Sequence, residues 1–498
     1  MKSGRLLIMR RGFVTCAPPV AGQAFRAAFG RRLRAGLKAC APAALIAASL
    51  TTACTVGPDY RRPPVVAPET FRAAESAAAG TPAASFADDR WVDVFQDDSL
   101  RELIKTALTQ NYDVRIAATR ILQAEAQYGV TRADRFPTVT GQVQTQAQHG
   151  TAIAGRSLPT VGSGEINASL SWELDFWGKF RRASESARAV ILASEWGRRA
   201  ILTSLVSRVA SGYFTLRSLD LELEIATRTL ASRQESLDLT QVRERGGVTA
   251  LVDVRQAEQL VYSANAQIVD VQREIEQQEN FISVLLGQNP GAIARGRALT
   301  DQPHAPDVPA GLPSALLDRR PDIQQAEQLI VAANAQIGVA KAAYFPQITL
   351  TGSGGVASSA LATLFKTGTW AVAGGIVQPI FTAGRTKSQV ALAKAQTEEA
   401  ALIYQQTIQQ AFREVSDALV GYRRSRELRA TQELLVRSAQ DALRLAEVRY
   451  RGGATSYLEV LDSDTRLFSA QLDLVQAQFS ELAAFVEIYR ALGGGWQS

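Results

Sequence analysis

The sequence predicts a mainly α-helical protein that is built from a duplicated unit and also contains a few β-strands. Two stretches, Arg245–Val254 and Arg451–Asp462, each interrupt a long helical pattern with a glycine pair, and they lie 206 residues apart. A glycine pair between two helical patterns is typical of the tip of a helical hairpin. After Phe136-Pro137 and again after Phe345-Pro346 the hydrophobic period changes from about 3.6 to about 2, which indicates strands. Each half therefore runs helix, strand, strand, long helix, tip, helix.

The first half begins with a helical pattern from Trp91 to Thr131, in which one face is apolar. No proline interrupts the helical patterns that follow its two strands, which permits very long helices. We expect one helix from about Gly178 to Arg245, about 100 Å long at 1.5 Å per residue, and a second that runs back to Leu286. Apolar residues spaced alternately by three and four predict coiled-coil packing along the first of these helices.

The domain organisation follows from these patterns and from two proline-rich segments. The sequence predicts an export signal at residues 1–53, a lipidated N-terminus and extended linker at 54–87, a first repeat at 88–300 with strands near 138–147 and 165–176, a connector at 301–320, and a second repeat at 321–498 with strands near 347–356 and 370–381.

The net charge of +6 does not indicate a nucleic-acid partner, because the excess lies in the leader. The leader holds nine of the 54 basic residues and none of the 48 acidic ones, so the rest of the chain has a net charge of −3. A basic region, the apolar run Ala39–Leu50 and then small residues are the layout of an export signal. Met1 and Met9 both lie in the basic region, so the start site is open.

Cys54 is the only cysteine that remains after removal of the leader, since Cys16 and Cys40 lie within it. No disulfide can therefore form within the exported chain. A lone cysteine directly after a small-residue cleavage region, followed by a proline-rich segment, favours acylation of its thiol and lipid anchoring. The alternative is an unmodified cysteine.

The second predicted strand alternates strictly, with apolar and polar side chains on opposite faces from Glu165 to Phe176. Four such strands are too few to close a barrel, and lipid does not tolerate the unpaired edges of an open sheet. We therefore expect several chains to contribute strands to one membrane β-barrel. The alternative is a water-soluble sandwich whose apolar face is simply core.

Catalysis and metal binding find little support in the sequence. His149 and His304 are the only histidines, and they lie in a polar loop and in the connector. No His-based triad or metal cluster can be assembled from these two residues. The sequence also contains no P-loop and no glycine-rich dinucleotide fingerprint. We predict that the chain is not an enzyme, binds no cofactor apart from covalent lipid, and has a transport or scaffold role.

Four motifs in order resemble those of the bacterial outer-membrane efflux protein family, the channel-tunnels, and within it the lipoprotein branch of efflux outer-membrane factors. They are Cys54–Pro63, Gly311–Asp322, Ile337–Pro346 and Ala491–Trp496. The resemblance covers essentially the whole chain after Cys54. It implies a homotrimer in which each chain gives four strands to a twelve-stranded outer-membrane barrel and long helices to a periplasmic tunnel.

The resemblance further implies a tripartite efflux pump, with a periplasmic adaptor protein and an inner-membrane transporter as partners. The channel would conduct drugs or other small molecules passively, because the transporter supplies the energy. Two alternatives stay open at this point: an outer-membrane channel for protein secretion, and a periplasmic coiled-coil scaffold without a pore.

The tips are where the resemblance assigns roles to single residues. It implies that acids after the second tip narrow the periplasmic entrance, and we expect Asp462 before Glu459, with Tyr450 as a further gate residue. Ser456-x-x-Glu459 also fits a capping box, which gives Glu459 a purely structural alternative. The first tip has Asp253 and Gln256 at the matching places. The residues expected to dock the adaptor are Gly246, Gly247, Thr249, Gly452, Gly453 and Thr455.

Overall fold

A computed structural model of the chain describes residues 55–65, 67–68, 71, 85–149, 161–303, 313–359 and 363–496. The predicted export signal, the predicted lipidation site Cys54 and His304 lie outside the described residues, as does about half of the predicted linker.

The two halves of the chain contain the same series of elements. The first half comprises α1 (Asp98–Gln110), α2 (Tyr112–Ala133), β1 (Thr138–Gln148), β2 (Val161–Glu173), α3 (Lys179–Arg245) and α4 (Leu251–Leu285). The second comprises α5 (Pro313–Arg319), α6 (Pro321–Ala342), β3 (Gln347–Ser358), β4 (Gly368–Val377), α7 (Arg385–Arg451) and α8 (Tyr457–Ala491). Short helical turns lie at Phe86–Asp88, Trp91–Val94 and Leu299–Asp301.

The duplication is exact in the lengths of the long helices. Helices α3 and α7 both have 67 residues, and α4 and α8 both have 35. Equivalent positions lie 209 residues apart from α2 to α6 and 206 apart from α3 to α7. The difference of three residues falls in the strand region. The equal order of elements and the equal lengths of the long helices confirm the predicted repeat.

The helical pattern predicted from Trp91 to Thr131 is divided among three helices, Trp91–Val94, α1 and α2. The side chains of Asp97 and Asn111 accept hydrogen bonds from backbone amides two and three residues further on, and α1 and α2 begin directly after them. Such N-caps offer the backbone an alternative to a continuing helix, and they end the preceding segment. Likewise, α5 lies inside the range that we predicted as connector.

The four strands form one antiparallel sheet in the order β1-β2-β3-β4. The central pair joins the two repeats, with Gly164 opposite Ser358 and Glu173 opposite Thr349. Cross-strand register places most of the large apolar residues of the four strands on one face of the sheet, whereas Val377 lies on the other. The apolar face comprises Val139, Val143, Ile166, Leu170, Trp172, Ile348, Leu350, Val356, Trp370, Val372 and Ile376.

Two predicted strand ends were wrong. Strand β2 ends at Glu173 rather than at residue 176, because the Asp175 carboxylate accepts hydrogen bonds from the amides of Phe180 and Arg181 and turns the chain into α3. Strand β4 ends at Val377 rather than at residue 381, shortly before Pro379, which has no amide to donate to a neighbouring strand. No helix among the described residues combines the length and the hydrophobicity that a membrane span requires.

A buried carboxylate joins the start of the first repeat to α3 and to the segment after α4. Asp97 is 1% exposed and accepts hydrogen bonds from the Tyr213 hydroxyl at 2.9 Å, the Gln302 amide at 2.9 Å and the Arg297 backbone amide at 2.9 Å. Burial alone would raise the pKa of Asp97, but hydrogen bonds from Gln302, Tyr213 and backbone amides outweigh it, so its pKa lies below the ordinary value.

We expect Asp97→Ala to lower the free energy of unfolding by about 3 kcal/mol, because it leaves several buried donors without an acceptor. The thermal unfolding midpoint of the purified protein in detergent measures the loss. The matched control is Asp98→Ala, since the Asp98 side chain is 94% exposed and pairs with Arg101 within α1. The control should change the midpoint little.

The pH dependence of Asp97→Asn gives a second check on the same carboxylate. Because its pKa is depressed in the folded chain, Asp97 stabilises the fold fully above its unfolded pKa of about 3.9. This contribution is lost as the pH falls through the lower folded pKa. The stability difference between wild type and Asp97→Asn should therefore shrink only below about pH 4, and a difference that shrinks near neutrality would contradict the assignment.

Candidate functional site at the hairpin tips

The two tips share one backbone turn. In the first, the amide of Val248 donates to the Arg243 carbonyl at 2.9 Å, and the amide of Gly247 donates to the Glu244 carbonyl at 2.8 Å. In the second, Ala454 donates to Arg449 at 2.9 Å, and Gly453 donates to Tyr450 at 3.0 Å. This is the Schellman arrangement, which closes a helix with one residue in the left-handed region.

Gly247 and Gly453 occupy that left-handed position, with φ of 71° and 74°. Side chains other than that of glycine are strained there, so the glycine pairs predicted from the sequence have a backbone reason. All four tip glycines are exposed, as a docking surface requires.

A threonine at each tip binds the carboxylate four residues further on. The hydroxyl of Thr249 donates to Asp253, and the hydroxyl of Thr455 donates to Glu459. The prediction of a capping box at Ser456 and Glu459 was wrong, because the Ser456 side chain makes no capping hydrogen bond. Instead, the Glu459 carboxylate is held by Thr455 and by the guanidinium of Arg449 at 2.7 Å.

Asp462 lies one turn beyond Glu459 on α8, and its side chain is 58% exposed. Its carboxylate pairs with Arg466 at 2.8 Å along the same helix. No other ion pair is recorded for it within the described part of the chain. Because the partner is local and both side chains are exposed, the pair is weak and can exchange for other partners.

Tyr450 points into the chain rather than away from it. Its ring lies 5.2 Å from that of Tyr457, and the guanidinium of Arg243 lies over it at 4.7 Å. Its hydroxyl is buried and has no hydrogen-bond partner among the described residues. It borders a cavity of about 210 Å³ between α3, α4, α7 and α8.

Arg233 ties the two hairpins together and was missed at the sequence level. Its side chain is 4% exposed and pairs with Asp464 on α8 at 2.8 Å, while it donates to the Leu260 carbonyl on α4 at 3.0 Å. Its guanidinium also lies over the ring of Phe468 at 5.0 Å. A signal was present, because Arg233 occupies a seam position between Leu230 and Leu237 where the pattern calls for an apolar residue.

The repeat does not duplicate this tie. The positions equivalent to Arg233 and Asp464 are Ala439 and Glu258, and Glu258 pairs with Arg255 on its own helix. A second link between the hairpins joins the hydroxyls of Ser236 and Tyr457 at 2.8 Å. The two hairpins of one chain are thus held to each other near their tips by buried polar contacts.

No group of three or more His, Cys, Asp or Glu residues in the described ranges is arranged to hold a metal ion. A family model described as outer membrane efflux protein matches residues 103–288 and 312–494. The chain belongs to this family. The outer membrane efflux protein family model divides the chain at the connector, in agreement with the duplication.

Relatives support the assignment over nearly the whole chain. The probable efflux pump outer membrane protein TtgC of Pseudomonas putida is 38% identical over 459 residues, which cover 91% of this chain and 94% of the relative. The cation efflux system protein CusC of Escherichia coli K12 is 34% identical over 447 residues, or 89% and 97%. Among solved structures, the open state of the Neisseria gonorrhoeae MtrE outer membrane channel is 33% identical, with a TM-score of 0.80 and coverage of 89% and 99%.

These comparisons confirm the family, the fold class and the location predicted from the motifs. The protein is an outer-membrane efflux channel protein, and its long hairpins are the periplasmic helical tunnel of that architecture. Members of the family are channel proteins rather than enzymes.

We expect Arg233→Ala to loosen the two hairpins near the tips, because it leaves the carboxylate of Asp464 without its partner. Breaking a buried ion pair on one side costs about 3 kcal/mol, which corresponds to about a hundredfold faster amide hydrogen exchange around Asp464. The control is Arg466→Ala, which removes the exposed partner of Asp462 and should change exchange little. Equal effects of the two variants would contradict the role of Arg233.

Proposed function

We propose that three copies of the chain form one channel, which passively conducts drugs or other small molecules delivered by an inner-membrane transporter and a periplasmic adaptor. Family membership supports the channel, and the relatives are named for efflux of compounds as different as solvents, antibiotics and cations. The chemistry of the exported compounds is thus left to the transporter.

Unequal burial of equivalent residues carries the proposal of several copies. Helix α6 packs extensively against both α3 and α7, whereas α2 packs extensively only along α3. Ala335 and Gly338 on α6 are buried, but the equivalent Ala126 and Gly129 on α2 are exposed. A helix face that is buried in one repeat and exposed in the other lacks a neighbouring helix in the single chain. The packing of the equivalent face indicates which helix is missing.

That neighbour is α7 of a second copy. Within one chain, α3 of the first repeat covers α6 of the second with Arg182, Ser186 and Ala189, which are all buried. The equivalent residues on α7 are Ser388, Leu392 and Ala395, and all three are exposed. If α7 of one copy covers α2 of the next, the contact made inside each chain is repeated between chains, and a closed ring results.

The β-sheet also supports the proposal of several copies. Strands β1 and β4 each have one neighbour in the sheet, so the backbone groups on their outer edges need partners. In lipid only other strands can supply them. Three sheets joined edge to edge would give a twelve-stranded barrel whose apolar face, which includes Trp370, Val372 and Ile376, meets lipid.

We assign the tips to two tasks. The exposed glycines Gly246, Gly247, Gly452 and Gly453, with Thr249 and Thr455, present backbone surface to the adaptor. Asp462, repeated in three copies, forms a negative ring at the entrance that favours cations. Glu459 supports the tip through Arg449 and Thr455, and Tyr450 acts from inside the hairpin junction rather than in the pore.

We further propose that Cys54 carries the lipid anchor on the exported chain. The supporting observation is its position as the only cysteine beyond the leader, directly after the small residues that end it.

Planar-bilayer recordings of the purified full-length protein test the channel and its gate. We expect Asp462→Ala to enlarge the conductance and to weaken the preference for cations, because it removes the negative ring. The control is Asp441→Ala, since Asp441 is similarly exposed and also pairs with an arginine of its own helix, Arg444.

A lack of conductance in wild type and in Asp462→Ala would contradict the channel. Conductance that Asp462→Ala leaves unchanged would contradict only the gate assignment. The molecular mass of the detergent-solubilised protein, corrected for bound detergent, checks the trimer in the same preparation.

Cys54→Ser should abolish incorporation of radiolabelled fatty acid into the exported chain, because the variant has no thiol to acylate. Wild type labelled in parallel is the positive control. Label that persists in the variant would contradict lipidation at this residue.

A further inference from the structure

The segment directly after Cys54 is docked onto the helices instead of forming a free tether. Here it is called the strap and comprises Thr55–Tyr60. The amide of Val56 donates to the Trp177 carbonyl at 3.1 Å, and Asn334 of α6 donates to the Pro58 carbonyl at 2.9 Å. Asp59 pairs with Arg182 of α3 at 2.7 Å. The strap thus contacts both repeats in the groove between α3 and α6.

A glycine on α6 makes this docking possible. A Cβ added to Gly338 would lie 2.7 Å from the Val56 carbonyl oxygen and 2.8 Å from Cγ of Arg182, both shorter than any ordinary contact. Gly57 of the strap approaches the same glycine and has a φ of 120°, which also favours glycine. Two glycines therefore let one backbone lie directly on the other.

The repeat supplies an internal comparison. Gly129 on α2 is equivalent to Gly338, yet an added Cβ there would meet nothing within 4 Å. The position equivalent to Asn334 is Glu125, which is exposed. Within one chain, a groove of α2 or α6 therefore holds the strap in one repeat only.

The strap begins at the edge of the sheet where the strands meet the helices. Trp177 links β2 to α3, stacks on Phe345 at 4.7 Å and donates to the Pro346 carbonyl at 2.7 Å. Exposed aromatic residues lie at the same edge, next to the end of each strand: Phe136, Phe176, Tyr344 and Phe381. Aromatic side chains collect where lipid headgroups meet the hydrocarbon, and such girdles border membrane barrels.

We propose that the strap fixes the acylated Cys54 at this aromatic edge, so that the anchor enters the lipid surface there and sets the depth at which the sheet stands in the membrane. The inference rests on the proposed lipidation of Cys54. Because consecutive Cα atoms are about 3.8 Å apart, the anchor has almost no slack beyond Thr55. A free linker of about 30 residues would instead let it range over about 30 Å.

Trypsin treatment of outer membranes that contain the full-length chain tests the docking. Cleavage after Arg61 requires the strap to leave its groove, since a protease needs a locally extended chain. We expect Gly338→Ala to speed this cleavage by at least about tenfold, because the added methyl group overlaps the strap and nothing else near it can give way freely. Gly129→Ala, the same change at the equivalent position, which the strap does not contact, should leave the cleavage rate unchanged.

Asn334→Ala is a second variant that leaves the helices intact, because alanine favours α6. It removes the hydrogen bond to Pro58 and should speed cleavage by about fivefold. The second readout is the fraction of exported chain recovered from the outer membrane as heat-resistant oligomer, which should fall for Gly338→Ala and Asn334→Ala in the same order as cleavage rises.

Cleavage of Gly338→Ala at the rate of Gly129→Ala would overturn the docking. Faster cleavage with an unchanged membrane fraction would overturn the positional role. Cys54→Ser separates this inference from the proposed lipidation, since it should lower the membrane fraction while the strap stays resistant to trypsin. A membrane fraction that Cys54→Ser leaves unchanged would contradict the anchor itself, and neither readout depends on whether the channel conducts.

Discussion

The pairing of β2 with β3 is the interaction on which the rest of the structure depends. It joins the two repeats in a continuous ladder from Gly164 opposite Ser358 to Glu173 opposite Thr349, and it aligns most of the large apolar residues of the four strands on one face. The same ladder leaves β1 and β4 with an open side each. A folded chain therefore leaves the outer edges of its sheet without partners, which supports the proposal that several copies combine in lipid.

The two tips have the same backbone turn but different side-chain contacts. The glycine turns and the threonine-to-carboxylate bonds are the same in both hairpins, so the repeat has kept what the geometry of a tip requires. The two tips differ in the contacts that equivalent side chains make beyond the turn. Arg243 covers Tyr450, whereas its equivalent Arg449 holds Glu459.

Much of this architecture follows from local rules. The long helices were predicted from their apolar periodicity and from the absence of proline. The glycine pairs predicted the ends of these helices to within a residue. Sequence reasoning failed where polar side chains compete for the same backbone: Asn111 ended a helix that periodicity would continue, and Thr455 displaced Ser456 as the partner of Glu459. It also missed Arg233 and the strap, because their partners lie far away in sequence.

The equal lengths of the paired helices have a consequence for how such a chain can change. Both tips stand at the same distance from the sheet because 67 residues lead to each of them. One residue inserted in a single long helix would rotate every later side chain by about 100° and shift that tip by about 1.5 Å. The two tips of a chain would then end at different heights. The apolar coiled-coil positions beyond the insertion would no longer face the neighbouring helix. Between the start of α2 and the end of α4, and between the start of α6 and the end of α8, the two repeats differ in length only near the strands, by three residues.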